Sequence, residues 1–430
     1  MKYNFDKTID RSGSGDLKHE VLKARYGRDD LIPLWVADMD FETPSFIVDA
    51  IKDRLQHKVF GYTVEPSDYW PTVSKWILDH HGWNVNTRWL TYVPGVVKGI
   101  GMAINAFTQP GDKILIQTPV YHPFRMAIVG NGRRVVVSPL EEAASLEGSA
   151  SLEEAAPSEG YGSLGEAAPS EGSFYKINFE RLERDIKGCK MMVLCNPHNP
   201  AGIQWTKDTL KRLADICHRH GVIVVSDEIH ADLALFGHKH SPFATVSREA
   251  EDISITFQAP TKTFNMAGIV SSYAIVPNTQ LRQRLFRWMQ ANELNEPHVF
   301  APIATIAAFK HGEEWRRQML AYIEQNILFA ERFFKDHIPG IKVVRPESSF
   351  LVWLDCRPLH LNHDDLQALF VNKARLALND GEIFDTDQNP YAPIHQAHSA
   401  GRGFMRLNVG TPRSILTQAL EQLAEAVKDL

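Results

Sequence analysis

The chain has 430 residues, of which 44% are hydrophobic and 23% are charged, an ordinary globular composition whose length suggests two domains. Its 46 basic and 52 acidic residues give a formal net charge of −6, which offers no basic field for nucleic acid or an anionic membrane. No stretch resembles a membrane span or a signal peptide, and the four cysteines lack metal-binding or disulfide spacing, so we expect no metal site and a cytoplasmic protein with reduced thiols.

Strand and helix patterns alternate along most of the chain. Short apolar runs with strand composition, each followed by a turn or a helical pattern, are WLTYV, DKILIQ, RRVVVS, MMVLC, GVIVVS and ISITF. Between two of them, Thr206 is placed to cap a helix that Gly221 ends. Apolar runs flanked by helices are typical of buried parallel strands. The sequence therefore predicts a doubly wound α/β domain, with a mostly parallel sheet and helices on both faces.

The predicted large domain covers residues 45–300, and a smaller α+β domain covers residues 301–430. The first segment, residues 1–44, is expected to pack with the smaller domain. Residues 140–173 stand apart as a near-repeat of about twelve residues with eight glutamates and no lysine or arginine. A period so short cannot bury a core, so we interpret it as a solvated surface insertion, with a docking element for a partner as the alternative.

In open α/β sheets, ligands bind beyond the carboxyl ends of the strands. Here those ends carry polar, aromatic and glycine residues, namely Gly95 with Val96 and Val97, Tyr121, Asn196 with Asn199, Asp227, and Lys262. Each has an ordinary structural interpretation when taken singly. A Pro-Gly turn begins many helices without a ligand, an aromatic side chain is commonly core, an aspartate caps helices, and a lysine usually reaches solvent.

Their combination favours a chemical role. A lysine at the end of a buried strand is accommodated when its amine forms a Schiff base with a carbonyl cofactor, and a buried aspartate needs a cationic partner. A lysine, an acid, a stacking aromatic ring, an amide and a phosphate-binding helix start are the components of a pyridoxal phosphate site. The histidine pairs His218/His220 and His238/His240 lack a supporting acid at a strand end and are interpreted as surface or packing residues.

The motifs also resemble a known family. PGVVKGI, TPVYHPF, NPHNPAG, SDEIHADL, APTKTFNMAG and RLNVGTPRS occur in the order found in the fold-type I pyridoxal phosphate enzymes of the class I/II aminotransferase family. IPLWVADMDF (32–41), FGYT (60–63) and HGW (81–83) are similar to the MalY/PatB-type branch, the cystathionine β-lyases or C–S lyases. The resemblance covers nearly the whole chain except residues 140–173. It implies the fold-type I transferase fold and pyridoxal 5′-phosphate as cofactor.

The resemblance also implies the roles of individual residues around the cofactor. Lys262 would form the Schiff base, Asp227 would pair with the pyridine nitrogen, Asn199 would bond the ring oxygen and Tyr121 would stack on the ring. Tyr62 would reach the phosphate from the neighbouring subunit of a homodimer with shared active sites.

Further roles follow for the phosphate and for an amino-acid substrate. The backbone amides of Val96 and Val97 would bind the phosphate. Arg406 would clamp the substrate carboxylate with support from Asn196, and the loop around Ala37 and Asp38 would lie beside the substrate.

Three positions depart from the pattern of many aminotransferases. Their serine and arginine on the phosphate are replaced by Ala259 and Val270, so Thr261 is expected to contribute there. His230 stands where a tyrosine is common, as it does in the lyase branch.

The expected activity is α,β-elimination of cystathionine- or cysteine-type amino acids to a thiol, pyruvate and ammonia, within amino-acid metabolism such as methionine biosynthesis. The alternative is an aminotransferase, which shares nearly every site residue. A cofactor-sensing regulator would need a DNA-binding module, and the residues before the large domain show no recognition helix with a basic face.

Overall fold

The structure, a computed structural model, describes residues 3–143, 173–385, 400–428 and 430. Nearly all of the predicted insertion at 140–173 lies outside the described residues. Its two flanks form a short antiparallel pair, in which Leu140 lies opposite Ile177.

The helices of the described residues begin with two short ones near the N-terminus and end with α14 at the C-terminus. They are α1 Leu17–Glu20, α2 Leu22–Tyr26, α3 Ser45–Gln56, α4 Tyr69–His81, α5 Val96–Phe107, α6 Pro123–Gly130, α7 Phe179–Asp185, α8 Lys207–Arg219, α9 Arg248–Ile253, α10 Thr279–Ala291, α11 Phe300–His311, α12 Glu313–His337, α13 His363–Ala368 and α14 Arg413–Val427. In the part of the chain that the structure describes, no helix combines the length and the apolar character needed to cross a membrane.

The strands form one large sheet and three smaller ones. They are β1 Ile32–Pro33, β2 Leu90–Val93, β3 Lys113–Ile116, β4 Arg134–Val137, β5 Leu140–Glu142, β6 Tyr175–Ile177, β7 Cys189–Cys195, β8 Ile223–Asp227, β9 Ser254–Gln258, β10 Ser272–Ile275, β11 Lys342–Val344, β12 Leu351–Asp355, β13 Leu376–Ala377, β14 Asn379–Asp380 and β15 Phe404–Asn408.

The large sheet has seven strands in the order β2-β10-β9-β8-β7-β3-β4. Strand β10 runs antiparallel to both of its neighbours, and the other six strands are parallel. The register aligns the strand ends, since Cys195 of β7 lies opposite Asp227 of β8, and Asp227 lies opposite Phe257 of β9. The predicted fold class, a mostly parallel α/β sheet, is confirmed.

Helices cover both faces of this sheet because the central strands β3, β7 and β8 carry apolar residues on both sides. Along β8, Val224 packs into a core that includes α8, whereas Val225 packs into a core that includes α5. The predicted cap of α8 is present, with the Thr206 hydroxyl accepting a hydrogen bond from the backbone N–H of Thr209.

A second, antiparallel sheet of four strands, in the order β11-β12-β15-β14, follows later in the chain. Its strand β15 carries Arg406 opposite Trp353 of β12. The N-terminal strand β1 pairs in parallel with β13, so the segment before α3 is attached to the C-terminal part of the chain. The domain boundaries after residues 44 and 300 stay a prediction.

Candidate active site

The predicted site residues follow strands that end at one edge of the large sheet. Strands β2, β3, β7, β8 and β9 all run in the same direction, and each is followed by a turn or loop that carries one or more of them. Because parallel strands present their carboxyl ends together, this edge forms the crevice expected for an open α/β sheet.

Lys262 lies in a tight turn after β9. The turn closes through hydrogen bonds from Phe264 N to Pro260 O and from Met266 N to the carbonyl of the buried Thr261. The pKa of the Lys262 amine is lowered to about 8, mainly by burial and partly by the charge of Arg406, whereas Asp38 and Asp227 oppose the shift. About a tenth of this amine is therefore unprotonated at pH 7, far more than of an ordinary lysine, and a nucleophile or base requires the free amine.

The loop that contains Ala37 and Asp38 lies directly against this lysine. The Lys262 ammonium donates a hydrogen bond to the backbone oxygen of Ala37. On the other side of the loop, the buried Lys18 amine lies 2.8 Å from Asp40 and 3.6 Å from Asp38, and Arg11 also pairs with both carboxylates. The loop is therefore fixed by charged groups from the N-terminal segment.

Asn265 ties the lysine turn to the same loop, and the sequence pattern gave no indication of this role. Its side-chain oxygen accepts from Met39 N at 3.0 Å, and its amide donates to the carbonyls of Met39 and Phe41 at 2.9 and 2.6 Å. The backbone φ of Asn265 is +49°, a conformation that asparagine adopts more readily than most residues. An asparagine three residues after the lysine was the only available signal.

Asp227 is buried at the end of β8. One carboxylate oxygen accepts a hydrogen bond from Ile229 N at 3.1 Å. The pKa of this carboxyl is raised to about 7, mainly by burial and partly by the charge of Glu228, although the Ile229 hydrogen bond and Lys262 oppose the shift. Within the described ranges, no cationic side chain lies at ion-pair distance from Asp227. Such an acid is suited to a cationic partner supplied by a ligand.

Arg406 is buried in β15 and faces the same crevice. Its guanidinium donates to the Asn199 side-chain oxygen at 2.9 Å and to the Trp35 carbonyl at 3.0 Å. Its Nε has no hydrogen-bond partner among the described residues, so a donor remains for an anion. Burial lowers the pKa of Arg406 to about 10, which leaves the group charged near neutral pH.

The amide that contacts Arg406 is therefore that of Asn199. The Asn196 amide donates instead to the carbonyl of Ser241 at 3.0 Å, and its side-chain oxygen lacks a partner within the described part of the chain. Asn199 therefore contacts Arg406 directly, and support of the substrate site by Asn196 stays a prediction.

The start of α5 forms a backbone anion site. Gly95 precedes the helix with φ of +117°, and none of the described side chains caps it, so the N–H groups of Val96 and Val97 remain available. A Cβ at Gly95 would be strained at this φ and would lie 3.7 Å from Val270 Cγ1. Val270 has φ of +53°, and its carbonyl accepts from the Tyr92 hydroxyl at 3.0 Å. The anion site at the start of α5 is therefore formed by backbone groups, and the positions where many aminotransferases carry a serine and an arginine are here Ala259 and Val270.

Tyr121 and His230 complete the crevice. The backbone N–H of Tyr121 donates to Asn199 O at 3.1 Å, which positions the ring beside the asparagine loop. His230 is buried, and burial together with the positive charges of Lys262 and Arg406 lowers its pKa to about 3, so its ring is neutral. Its Nδ1 has no partner among the described residues.

Tyr62 lies away from this cluster within one chain. Its side chain is fully exposed, as are large parts of its neighbours Val59, Phe60 and Val64. The other predicted site residues lie at this edge of the sheet or in elements packed against it, and their roles stay predictions.

One prediction about the histidines was wrong. His240 does have a supporting acid at a strand end, because its Nε2 lies 2.9 Å from the carboxylate of Glu228, and both side chains are completely buried. His220 likewise pairs with Glu183. Glu228 follows Asp227 at the end of β8, so the adjacent acids in SDEIH were the available signal.

Similarity to known proteins agrees with this geometry. The sequence profile of the family "Aminotransferase class I and II" matches residues 29–423. The chain belongs to this family. It is 38% identical over 426 residues to cystathionine beta-lyase PatB of Bacillus subtilis, covering 99% of this chain and 100% of the relative. It is 30% identical over 430 residues to protein MalY of Escherichia coli, covering 99% of each chain. The predicted resemblance to the MalY/PatB branch is confirmed.

One solved structure is similar over the full length of the chain. Cystalysin from Treponema denticola, whose crystal structure contains a pyridoxal 5′-phosphate cofactor, superposes with a TM-score of 0.87 at 32% identity, covering 100% of both chains.

Proposed function

We propose that this protein is a pyridoxal phosphate-dependent C–S lyase, which converts cystathionine- or cysteine-type amino acids to a thiol, pyruvate and ammonia. The main support is the crevice that contains Lys262, Asp227 and Arg406. The chain also matches PatB, a cystathionine beta-lyase, over its full length. The aminotransferase alternative shares these residues, and a solved structure from Clostridium difficile that is described as an aminotransferase is 37% identical to this chain. The aspartate aminotransferases match at 26% or less, whereas PatB matches at 38%, which favours the lyase.

The residues of the crevice fit the cofactor. Asp227 is a buried acid without a cationic partner among the described side chains, and it matches a protonated pyridine nitrogen. The uncapped start of α5 offers N–H groups to the phosphate, and Lys262 offers an amine of lowered pKa to the carbonyl carbon. Asn199 would bond the ring oxygen. Tyr121, whose backbone N–H donates to Asn199 O, would stack on the ring.

The substrate would be held by its carboxylate and deprotonated by the lysine. When bound, pyridoxal phosphate supplies an electron-withdrawing ring that stabilises negative charge at the substrate Cα. Arg406 would bind the α-carboxylate, held in orientation by Asn199 and by Trp35 O. The Lys262 amine, once replaced by the substrate amine, would remove the Cα proton, and the β-thiolate would leave with the electron pair of the Cβ–S bond.

Neighbouring charged groups would set the protonation of the pyridine nitrogen and of Lys262. Asp227, as a carboxylate, would retain the proton on the pyridine nitrogen. Asp38 favours the protonated form of Lys262, whereas Arg406 favours the free amine, so the two groups oppose one another at this base. His230 remains neutral and adds no further positive charge.

The proposal includes a cytoplasmic homodimer with shared active sites. The exposed apolar segment of Val59, Phe60, Tyr62 and Val64 supports it, because such a run is expected to be covered by another chain. Tyr62 would extend from this segment to the phosphate of the neighbouring subunit. The four cysteines are all unpaired, in keeping with a reducing compartment.

Incubation of the purified protein with L-cystathionine, without a keto-acid acceptor, tests the activity. We expect the wild-type protein to release equal amounts of pyruvate and thiol. Lys262→Ala should release neither product and should lack the visible absorption of the bound cofactor. Lys211→Ala, which removes an exposed lysine of α8, is the matched control. Turnover that occurs only with a keto-acid acceptor would refute the lyase and support the aminotransferase.

A further inference from the structure

Arg25, which the chemistry above does not use, is a cation held at the edge of the candidate site. It belongs to the short helix α2, and its side chain is exposed. Its guanidinium carbon lies 4.5 Å from the centroid of the Trp35 ring and 5.8 Å from that of Tyr26. Cation–π contacts of this geometry hold an arginine in place without neutralising it.

The ring beneath Arg25 is rigid. The Trp35 indole N–H donates to Lys18 O at 3.0 Å, and Tyr26 packs edge-on against the same ring while its hydroxyl donates to Leu378 O. The Trp35 carbonyl accepts from Arg406. One buried tryptophan therefore positions two guanidiniums, Arg406 through its backbone and Arg25 through its ring.

Arg25 forms no ion pair with the described part of the chain, although its charge favours the ionised form of the partly buried Asp380 and so opposes the rise in the pKa of that carboxyl that burial causes. No carboxylate there lies within ion-pair distance of it, and the nearby Asp30 pairs with Arg28 and Arg375. Burial is the main cause of the lowered pKa values of His122 and Arg406, and the positive charge of Arg25 lowers both further. Arg25 is therefore a second positive charge close enough to act on the Arg406 guanidinium that is proposed to bind the substrate carboxylate.

We propose that Arg25 is a specificity-determining residue that binds a second carboxylate, carried on the leaving group of the amino-acid substrate. This proposal rests on the proposed lyase function. With the α-carboxylate on Arg406 and the reacting carbon at Lys262, a flexible β-substituent that extends past Trp35 meets the guanidinium of Arg25. Thioether amino acids whose leaving group ends in a carboxylate would then be preferred over those with an uncharged end.

Two substrates with the same Cβ–S bond test this preference. S-(2-carboxyethyl)-L-cysteine and its amide, S-(2-carbamoylethyl)-L-cysteine, differ only in the charge of the leaving group. Arg25→Gln is expected to lower kcat/KM for the acid about three- to tenfold through KM, and to leave the amide within about twofold. The loss should diminish at high salt, because the pair is accessible to solvent. Lys23→Gln removes the same charge from the same short helix and should leave kcat/KM for both substrates unchanged.

A binding measurement keeps the result independent of turnover. Calorimetric titration can use L-2-aminoadipate and its side-chain amide, neither of which has a leaving group. In Arg25→Gln the affinity for the acid should fall about three- to tenfold, and the affinity for the amide should not change. Arg25→Met, which keeps an apolar stem on Trp35, should behave as Arg25→Gln does. Equal effects on acid and amide, or no effect on either, would overturn the proposal. If the wild-type protein releases no pyruvate from either thioether, the lyase function fails, and the titration alone decides the role of Arg25.

Discussion

The guanidinium of Arg406 donates a hydrogen bond of 2.9 Å to the side-chain oxygen of Asn199, although 207 positions separate them in the chain. Arg406 lies in the four-stranded sheet, whereas Asn199 follows β7 of the seven-stranded sheet. The group proposed to bind the substrate carboxylate is thus oriented by the group proposed to bind the cofactor ring. Substrate position and ring position are coupled through one contact.

Asn199→Ala is expected to weaken both functions. Loss of one buried hydrogen bond to a charged group costs about 1.5–3 kcal/mol, which predicts a fall of roughly ten- to hundredfold in kcat/KM for L-cystathionine. The rise in KM should be accompanied by a shift of the visible absorption band of the bound cofactor. A variant with altered KM and an unchanged spectrum would contradict the coupling.

Asp227→Asn should stabilise the cofactor-free protein while it abolishes activity. Burial raises the pKa of this carboxyl from 3.8 to about 7, so the folded state binds more protons than the unfolded state between these values, and stability falls as pH rises through them. Removing the charge should therefore raise the free energy of unfolding at pH 8 by about 2–4 kcal/mol. Urea unfolding of the cofactor-free variant checks this.

The gain from Asp227→Asn should shrink as pH falls from about 7 toward about 4, because the wild-type carboxyl then becomes protonated in the folded state. A gain that does not depend on pH would point to packing and not to the buried charge. The same variant should bind pyridoxal phosphate more weakly, since the pyridine nitrogen loses its anionic partner.

Several features of this site could be predicted from sequence because they depend on local patterns. Lys262 and Asp227 follow apolar runs that read as buried strands, and strand direction alone places their ends together. Asn265 and His240 were missed because their roles depend on partners brought close by tertiary packing. Asn265 bonds a loop more than 220 positions away, and His240 reaches back across a turn to Glu228. No periodicity in the sequence encodes such contacts.

His240→Ala should destabilise the fold. Burial opposes ionisation of Glu228, yet His240, Phe243 N and the Ser226 hydroxyl together hold the pKa of that carboxyl below its ordinary value. Because burial lowers the pKa of His240, its ring is neutral at pH 7, and its removal takes one hydrogen bond from the buried carboxylate, which keeps those from Phe243 N and Ser226. The expected cost of losing a hydrogen bond to a buried charged group is about 1.5–3 kcal/mol. Chemical unfolding at pH 7 measures the loss.

His238→Ala is the matched control for this experiment, because His238 lies two positions away and its side chain is only partly buried. It should change the free energy of unfolding by less than about 0.5 kcal/mol. Since the carboxylate of Glu228 has a depressed pKa in the fold, the wild-type advantage over His240→Ala should decrease as the solution becomes acidic enough to protonate it. Equal stability of the two variants would rule out a structural role for the buried pair.

Subunit mixing tests whether Tyr62 acts across a dimer interface. Tyr62→Ala and Lys262→Ala should each be strongly impaired as pure proteins, because each lacks one component of every site. In a mixed dimer, one site combines the intact Lys262 of one subunit with the intact Tyr62 of the other, and the second site lacks both. Random mixing of equal amounts makes about half of the dimers mixed, so about a quarter of wild-type activity should return. Activity equal to the average of the two pure variants would mean that Tyr62 serves its own chain or no site at all.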